Sequence, residues 1–214
     1  MKLALLSVYD KTGVTEFATK LAELGYMVLA SGGTAKAIKK TFEELYGESK
    51  EKVNLDQLIE VSEFTGFPES PDGLVKTLHP KIHGGFLLNP DNKEHAKYML
   101  KNGMYHIEVF AGNLYPFDKA IQKEGITPKE AAHMIDIGGP TMVRAAAKAA
   151  LLYENVYVIT DPADYENVIS RLKSPISGFP KLDSATVRNL AKKAFAHTAE
   201  YEKNIDEFLN ANKE

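Results

Sequence analysis

The segment Leu3–Thr34, LALLSVYDKTGVTEFATKLAELGYMVLASGGT, decides the fold. It opens with a short apolar run, Leu3–Val8, suited to a strand buried in a parallel sheet. Val14, Phe17, Ala18, Leu21 and Leu24 then recur at helical spacing, and Gly25 supplies the stop. Tyr26–Ala30 is a second apolar run, and Ser31-Gly-Gly-Thr34 is expected to be the loop after it. Strand, helix, strand in that order is the unit from which parallel sheets are built.

The alternation continues down the chain. A second helix is expected over Ala35–Leu45, a third strand over Gln57–Val61, a helix over Asp91–Lys101 and a buried strand over Ile107–Ala111. A helical stretch from Pro116 to Met134 leads into an almost pure alanine helix. Val156–Ile159 is the last strand, and Asp161-Pro162 opens a helix to about Leu172, as an N-cap followed by proline does. From Ser62 to Gly85 the glycines, prolines and histidines suggest functional loops more than scaffold. The expectation is an α/β fold: one domain over 1–214, with a parallel-type central sheet flanked by helices on both faces. The charged stretch Gly47–Lys52 is the candidate for a mobile excursion. In the tail, Val187, Leu190, Ala191, Ala194, Phe195, Thr198, Tyr201, Ile205, Phe208 and Leu209 form one helical stripe. Such a stripe is either core or the seam of a homodimer.

Composition narrows the function classes. With 44% hydrophobic and 26% charged residues the chain reads as an ordinary globular protein. A net charge of −3 gives no global field favouring nucleic acid or an anionic membrane, so phosphate recognition has to be local. The sequence holds no cysteine, which excludes disulfides, thiolate metal sites and cysteine nucleophiles. Leu3–Val8 is too short for a membrane span and lacks a signal peptide's layout, so a cytoplasmic location is expected.

Chemistry-bearing residues fall where strands end, which is where open α/β sheets collect ligands. Tyr9-Asp10-Lys11-Thr12-Gly13 follows the first strand. Ser31-Gly32-Gly33-Thr34 follows the second, and is either a short phosphate cradle or an ordinary turn capped by Ser31 or Thr34. The segment from Gly73 to Gly85 carries Lys76 and Thr77, then His79 and His83 at helical spacing. No acidic residue completes a zinc motif there, which favours structural histidines over ligands. Gly112-Asn113-Leu114-Tyr115 offers an amide and a phenol. Asp136-Ile-Gly-Gly-Pro-Thr-Met-Val-Arg-Ala-Ala-Ala-Lys148 pairs a tight turn at Gly138-Gly139 with a helix whose first residue is expected to be Pro140. Arg144 and Lys148 share a face of that helix. They imply an anionic neighbour, either Asp136 or a phosphorylated substrate, unless both simply reach solvent. Lys76, Tyr115, Asp136 and Lys148, if brought to one sheet edge, could trade protons and stabilise an oxyanion.

Val75-Lys-Thr-Leu-His-Pro80, Asn113-Leu-Tyr-Pro-Phe117, Asp136-Ile-Gly-Gly-Pro-Thr141 and Arg144-Ala-Ala-Ala-Lys148 resemble the inosine monophosphate (IMP) cyclohydrolase domain. That domain forms the N-terminal half of a bifunctional purine-biosynthesis protein whose other half is a formyltransferase. Ser31-Gly-Gly-Thr-Ala35, Thr65-Gly-Phe-Pro-Glu69 and Lys193-Ala-Phe-Ala-His-Thr198 match as well, so the resemblance runs from about Leu3 to Leu209. It implies a methylglyoxal synthase-like fold and closure of the purine ring of 5-formamidoimidazole-4-carboxamide ribonucleotide. It implies no cofactor and no metal. By position, the family's catalytic set falls on Lys76, Tyr115, Asp136 and Lys148. Its nucleotide contacts fall on Tyr9, Asp10, Lys11, Ser31, Gly32, Gly33, Thr34, Leu74, Val75, Thr77, Gly112, Asn113 and Ile137.

The resemblance has departures. Leu74 stands where the family has arginine, Tyr9 where serine is common, and the segment 42–56 is longer than usual. No counterpart of the formyltransferase half is read in these 214 residues. It is either encoded separately, as a partner supplying the labile substrate, or lost because the sequence is an excised piece. The competing readings are a phosphate-eliminating lyase of the methylglyoxal synthase type and a non-catalytic nucleotide-sensing domain.

Overall fold

Five apolar runs pair into one all-parallel sheet in the computed structural model, which describes residues 1–48, 54–68, 70–117, 121, 125–173 and 183–211. They are β1 (Lys2–Leu6), β2 (Tyr26–Ala30), β3 (Leu58–Glu60), β4 (Ile107–Ala111) and β5 (Tyr157–Ile159), in the order β3-β2-β1-β4-β5. β1 sits at the centre, where Leu5 lies opposite Leu29 on one side and Phe110 on the other. Both its faces are covered as well, so Leu3, Ala4, Leu5 and Leu6 are all buried and the strand reads as an unbroken apolar run.

The helices among the described residues are α1 (Val14–Glu23), α2 (Gly32–Glu48), α3 (Val61–Thr65), α4 (Pro80–Leu87), α5 (Lys93–Lys101), α6 (Pro128–His133), α7 (Gly138–Tyr153), α8 (Tyr165–Lys173) and α9 (Ser184–Ala211). α1 packs against α2 and α8 in one layer, while α7 packs against α4 and α9 in the other. The alanines of α7 explain its close fit. Ala145, Ala146, Ala147, Ala149 and Ala150 are buried, which lets α9 approach along its length. Most of the α9 stripe is core: Val187, Leu190, Ala191, Ala194, Thr198, Tyr201, Ile205 and Phe208 are buried, Phe195 is partly buried and Leu209 is half exposed. None of the described helices is long and apolar enough to cross a membrane.

Four expectations need correction. Ser31-Gly-Gly-Thr34 is not a free loop, because Thr34 and Ala35 N–H groups both donate to the Ser31 carbonyl and close the first turn of α2. The stretch 62–85 contains helices: its punctuating residues sit at helix ends, Gly66 in the left-handed conformation after α3 and Pro80 at the start of α4. The single helix expected from Pro116 to Met134 is broken. Gly125 has φ 74°, and Thr127 then caps α6 in a reciprocal arrangement with Glu130. Pro140 is the third residue of α7, where its missing N–H is still one of those without a helical partner. Most of the charged stretch 47–52, part of 116–134 and Glu69 lie outside the described residues.

One buried hydroxyl ties the first two strand ends together. Thr34 Oγ1 accepts from Val8 N–H at 3.2 Å and donates to the Val8 carbonyl at 3.1 Å. Only 3% of Thr34 is exposed, so neither Val8 group can turn to water instead. Thr34→Val keeps the shape and orphans both, at about 1–3 kcal/mol per group. Urea unfolding is expected to show a midpoint lowered accordingly, and an unchanged midpoint would mean that the backbone finds other partners.

Candidate active site

The strand order selects one edge of the sheet. The chain steps from β1 outward to β2 and β3, then returns to the other side of β1 to lay down β4. This reversal opens a crevice between the carboxyl ends of β1 and β4. A cleft of about 280 Å³ lies there, lined by residues that follow β1, β2 and β4, by the Gly73–Thr77 segment and by the start of α7.

One wall is built for an anion. At the end of β2, Ser31 and Ser7 share a hydrogen bond of 2.9 Å, and the first residues of α2, Gly32, Gly33 and Thr34, line the cleft. Gly32 has φ 50°, and a β-carbon there would stand 2.9 Å from Lys76 Nζ. A β-carbon on Gly33 would stand 3.4 Å from Lys11 Cε and 3.6 Å from its Nζ. Two ammonium groups therefore rest against two glycines at a helix N-terminus, where bare backbone and the helix dipole already favour negative charge.

Asn113, Tyr115 and Asp136 reach the cleft from other loops. Asn113 Oδ1 accepts from the Tyr9 and Asp10 N–H groups at 2.7 and 2.9 Å, and its Nδ2 donates to the Asp10 carbonyl at 3.1 Å. The amide read from the sequence as a substrate contact thus also braces the first loop. Tyr115 lines the cleft with its ring edge-on to that of Tyr9, centroids 4.5 Å apart. Asp136 lies just before α7, where its Oδ1 accepts from Gly139 N–H at 3.0 Å. Behind these loops stands α9. Leu114 N–H donates to His197 Nε2 at 3.2 Å, and Asp136 N–H donates to Tyr201 Oη at 2.7 Å.

Residues 13–141 match the family described as the MGS-like domain, and residues 146–214 match one described as the AICARFT/IMPCHase bienzyme. The chain belongs to the MGS-like domain family. Its fold is accordingly the α/β fold expected from the sequence. The chain is 45% identical over 208 residues to the bifunctional purine biosynthesis protein PurH of Thermoanaerobacter sp. (strain X514), covering 97% of this chain and 37% of that protein. PurH of Persephonella marina is 46% identical over 207 residues, covering 97% and 36%. The chain thus spans little more than a third of the length of the curated relatives it matches. Among solved structures, one titled "Crystal structure of ForH" is similar with a TM-score of 0.78 and 27% identity, covering 96% of this chain and 97% of that one.

Within this MGS-like domain the site residues named from the sequence divide into two groups. Lys76, Tyr115 and Asp136 line one cleft, together with Tyr9, Lys11, Ser31, Gly32, Gly33, Thr34, Leu74, Thr77 and Asn113. Asp10, Val75, Gly112, Ile137 and Lys148 are not among its lining residues. Asp10 is occupied locally, its Oδ1 accepting from the Thr12 N–H and hydroxyl. Gly112 answers to packing, since a β-carbon would run into the Phe110 ring. Lys148 is exposed on α7, ten residues past Gly138 and so about 15 Å along the helix axis. Nor is Asp136 the anion that Arg144 and Lys148 were expected to need. Arg144 instead places its guanidinium 5.8 Å from the centre of the Phe195 ring.

The sequence reading missed Ser7, Val8, Gly73, Gly138, Gly139 and Met142 as cleft residues. The two glycines of α7 carried the clearest signal. A β-carbon on Gly138 would stand 2.5 Å from Thr77 Oγ1, and one on Gly139 would collide with the Asp136 carboxylate. As expected, His79 is structural: its Nδ1 accepts from Lys81 N–H at the start of α4, and burial, then the Lys81 charge, lowers its pKa. Burial likewise lowers the pKa of His83, against a hydrogen bond to the Thr77 backbone that raises it.

Proposed function

We propose that this chain is an IMP cyclohydrolase, closing the purine ring of 5-formamidoimidazole-4-carboxamide ribonucleotide to give IMP and water. The observation that carries the reading is the meeting of Lys76, Tyr115 and Asp136 in one cleft beside a helix N-terminus flanked by two lysines. The similarity to PurH over nearly the whole chain agrees with it.

The substrate's phosphate fits the start of α2, with Lys11 and Lys76 as counter-charges. Lys11 supplies cationic contact on a wall where Leu74 offers none. The carboxamide nitrogen then attacks the formyl carbon, forming the new C–N bond. Asp136 receives the nitrogen's proton, and Tyr115, assisted by Lys76, donates to the formyl oxygen as its charge develops. Loss of that oxygen as water, taking the proton of the formamido nitrogen, leaves the C=N bond of the closed ring, and the proton held by Asp136 restores Tyr115. All the atoms are supplied by the substrate and these proton carriers.

Lys148 is the remaining member of the proposed set, and it stands off the cleft of its own chain. Its share in proton transfer therefore calls for the cleft of a second copy, in a homodimer that brings the exposed face of α7 across. Leu151 and Leu152, about half exposed on that helix, offer apolar surface for such a contact.

Ring closure can be followed by ultraviolet absorbance with synthetic substrate. Wild type is expected to form IMP, while Asp136→Ala and Lys148→Ala are each expected to lose most turnover. Mixing the two variants is expected to restore part of it, because a mixed dimer keeps one complete site. Wild type that binds substrate without turnover would overturn the enzyme reading. Inactive variants that stay inactive when mixed would overturn the shared site.

A further inference from the structure

Two side chains of α9 touch the two catalytic loops without lining the cleft themselves. His197 and Tyr201 are one helical turn apart and so lie on one face of the helix. His197 Nε2 takes the N–H of Leu114, the residue next to Tyr115. Tyr201 Oη takes the N–H of Asp136 itself. We propose that His197 and Tyr201 are positioning residues that set the separation between Tyr115 and Asp136 across the cleft. The proposal rests on the cyclohydrolase reading, which assigns those two residues to opposite ends of the same proton transfer.

Three features make the pair a clamp and not incidental contacts. The helix that carries it is held rigidly, because Ala194, Thr198, Tyr201 and Ile205 are buried against the rest of the chain. The Tyr201 ring is fixed edge-on to Phe117, centroids 6.5 Å apart. Burial also favours the form that each acceptor needs. An imidazole that accepts at Nε2 is neutral with its proton on Nδ1, and burial lowers the His197 pKa in that direction. Burial raises the Tyr201 pKa, so its oxygen stays a phenol.

The two loops come from different parts of the chain, one after β4 and the other before α7. Without a common reference they could drift relative to each other, and a misplacement of about 1 Å can cost about a hundredfold in rate. The anion wall at the start of α2 makes no contact with His197 or Tyr201 through these bonds. Loss of the clamp is therefore expected to lower kcat and leave KM nearly unchanged.

The test compares ring closure by the 214-residue chain as wild type, His197→Ala, His197→Gln and Tyr201→Phe. Amide hydrogen exchange at Leu114 and Asp136 is read on the same samples. His197→Ala is expected to reduce kcat by about a hundredfold with KM held within about threefold. His197→Gln, whose side-chain oxygen can accept at the place of Nε2, is expected to recover most of the loss. Should His197→Ala fail to fold, Tyr201→Phe carries the same comparison. A wild-type kcat in His197→Ala or Tyr201→Phe, or a glutamine variant as slow as alanine, would overturn the proposal. If wild type itself makes no IMP, the cyclohydrolase reading falls and exchange decides about the clamp. Faster exchange at Leu114 in His197→Ala and at Asp136 in Tyr201→Phe supports it, and unchanged exchange overturns it.

Discussion

Tyr115→Phe is expected to lower the turnover of ring closure by about a hundred- to a thousand-fold, the usual cost of removing one donor to a developing oxyanion. The substitution is a clean one here. The ring is held against Tyr9 at 4.5 Å, an edge-on contact that phenylalanine can make equally well, so position and packing persist while the hydroxyl is lost. Substrate affinity is expected to change little, because the proposed phosphate site at Gly32, Gly33 and Lys11 makes no use of the Tyr115 hydroxyl. Steady-state kinetics separates the two effects. A variant with wild-type kcat would remove Tyr115 from the chemistry. A raised KM at constant kcat would recast it as a residue for binding alone.

Gly139→Ala is expected to be as damaging through sterics alone. The added β-carbon would overlap the Asp136 carboxylate and stand 2.6 Å from Leu114 Cδ2, so one or both must move. Moving the carboxylate breaks its bond from Gly139 N–H, and moving Leu114 disturbs the residue beside Tyr115. Overpacking of this kind costs about 1–3 kcal/mol of stability. Displacing the carboxylate by about 1 Å would add about a hundredfold loss in kcat. Gly103→Ala is the control. Its φ of 59° makes alanine strained, yet nothing lies within 4 Å of the new carbon, and it is not among the cleft residues. It is expected to lower the unfolding midpoint while leaving kcat alone. Equal kcat losses in the two variants would show that general destabilisation, and not the crowded carboxylate, is being measured.

Much of this architecture was legible because burial imposes a pattern on composition. The central strands have neighbours on both edges and cover on both faces, so Leu3–Leu6 and Tyr26–Ala30 are continuous apolar runs, and Ile107–Ala111 is broken only by Glu108, which accepts from the Tyr26 hydroxyl. The errors fell where glycine and proline have two meanings. Gly66 and Pro80 punctuate a loop in the sequence but end and begin helices in the structure. Gly125 interrupts what looked like one long helix. At the cleft, Tyr9, Lys11, Ser31, Asn113 and Tyr115 meet because strand ends converge on one edge, whereas Asp10 and Gly112 also follow strands and do not line it. Lys148 was grouped with them by motif, and helical rise carries it away. Tyr201 is visible in the sequence only as a member of a stripe and His197 only inside the Lys193–Thr198 match, since nothing in a sequence says which buried polar atom meets which distant N–H.

The position of those two residues along the chain also bears on how the protein is made. Synthesis proceeds from the N-terminus, and the sheet with its first helices can begin to form before α9 emerges. α9 is the last of the described elements, so Leu114 and Asp136 gain their partners only when that helix docks. A nascent chain can therefore hold a nearly complete scaffold and still lack a finished cleft. The helix that packs last on α7 also sets when the cleft takes its final shape.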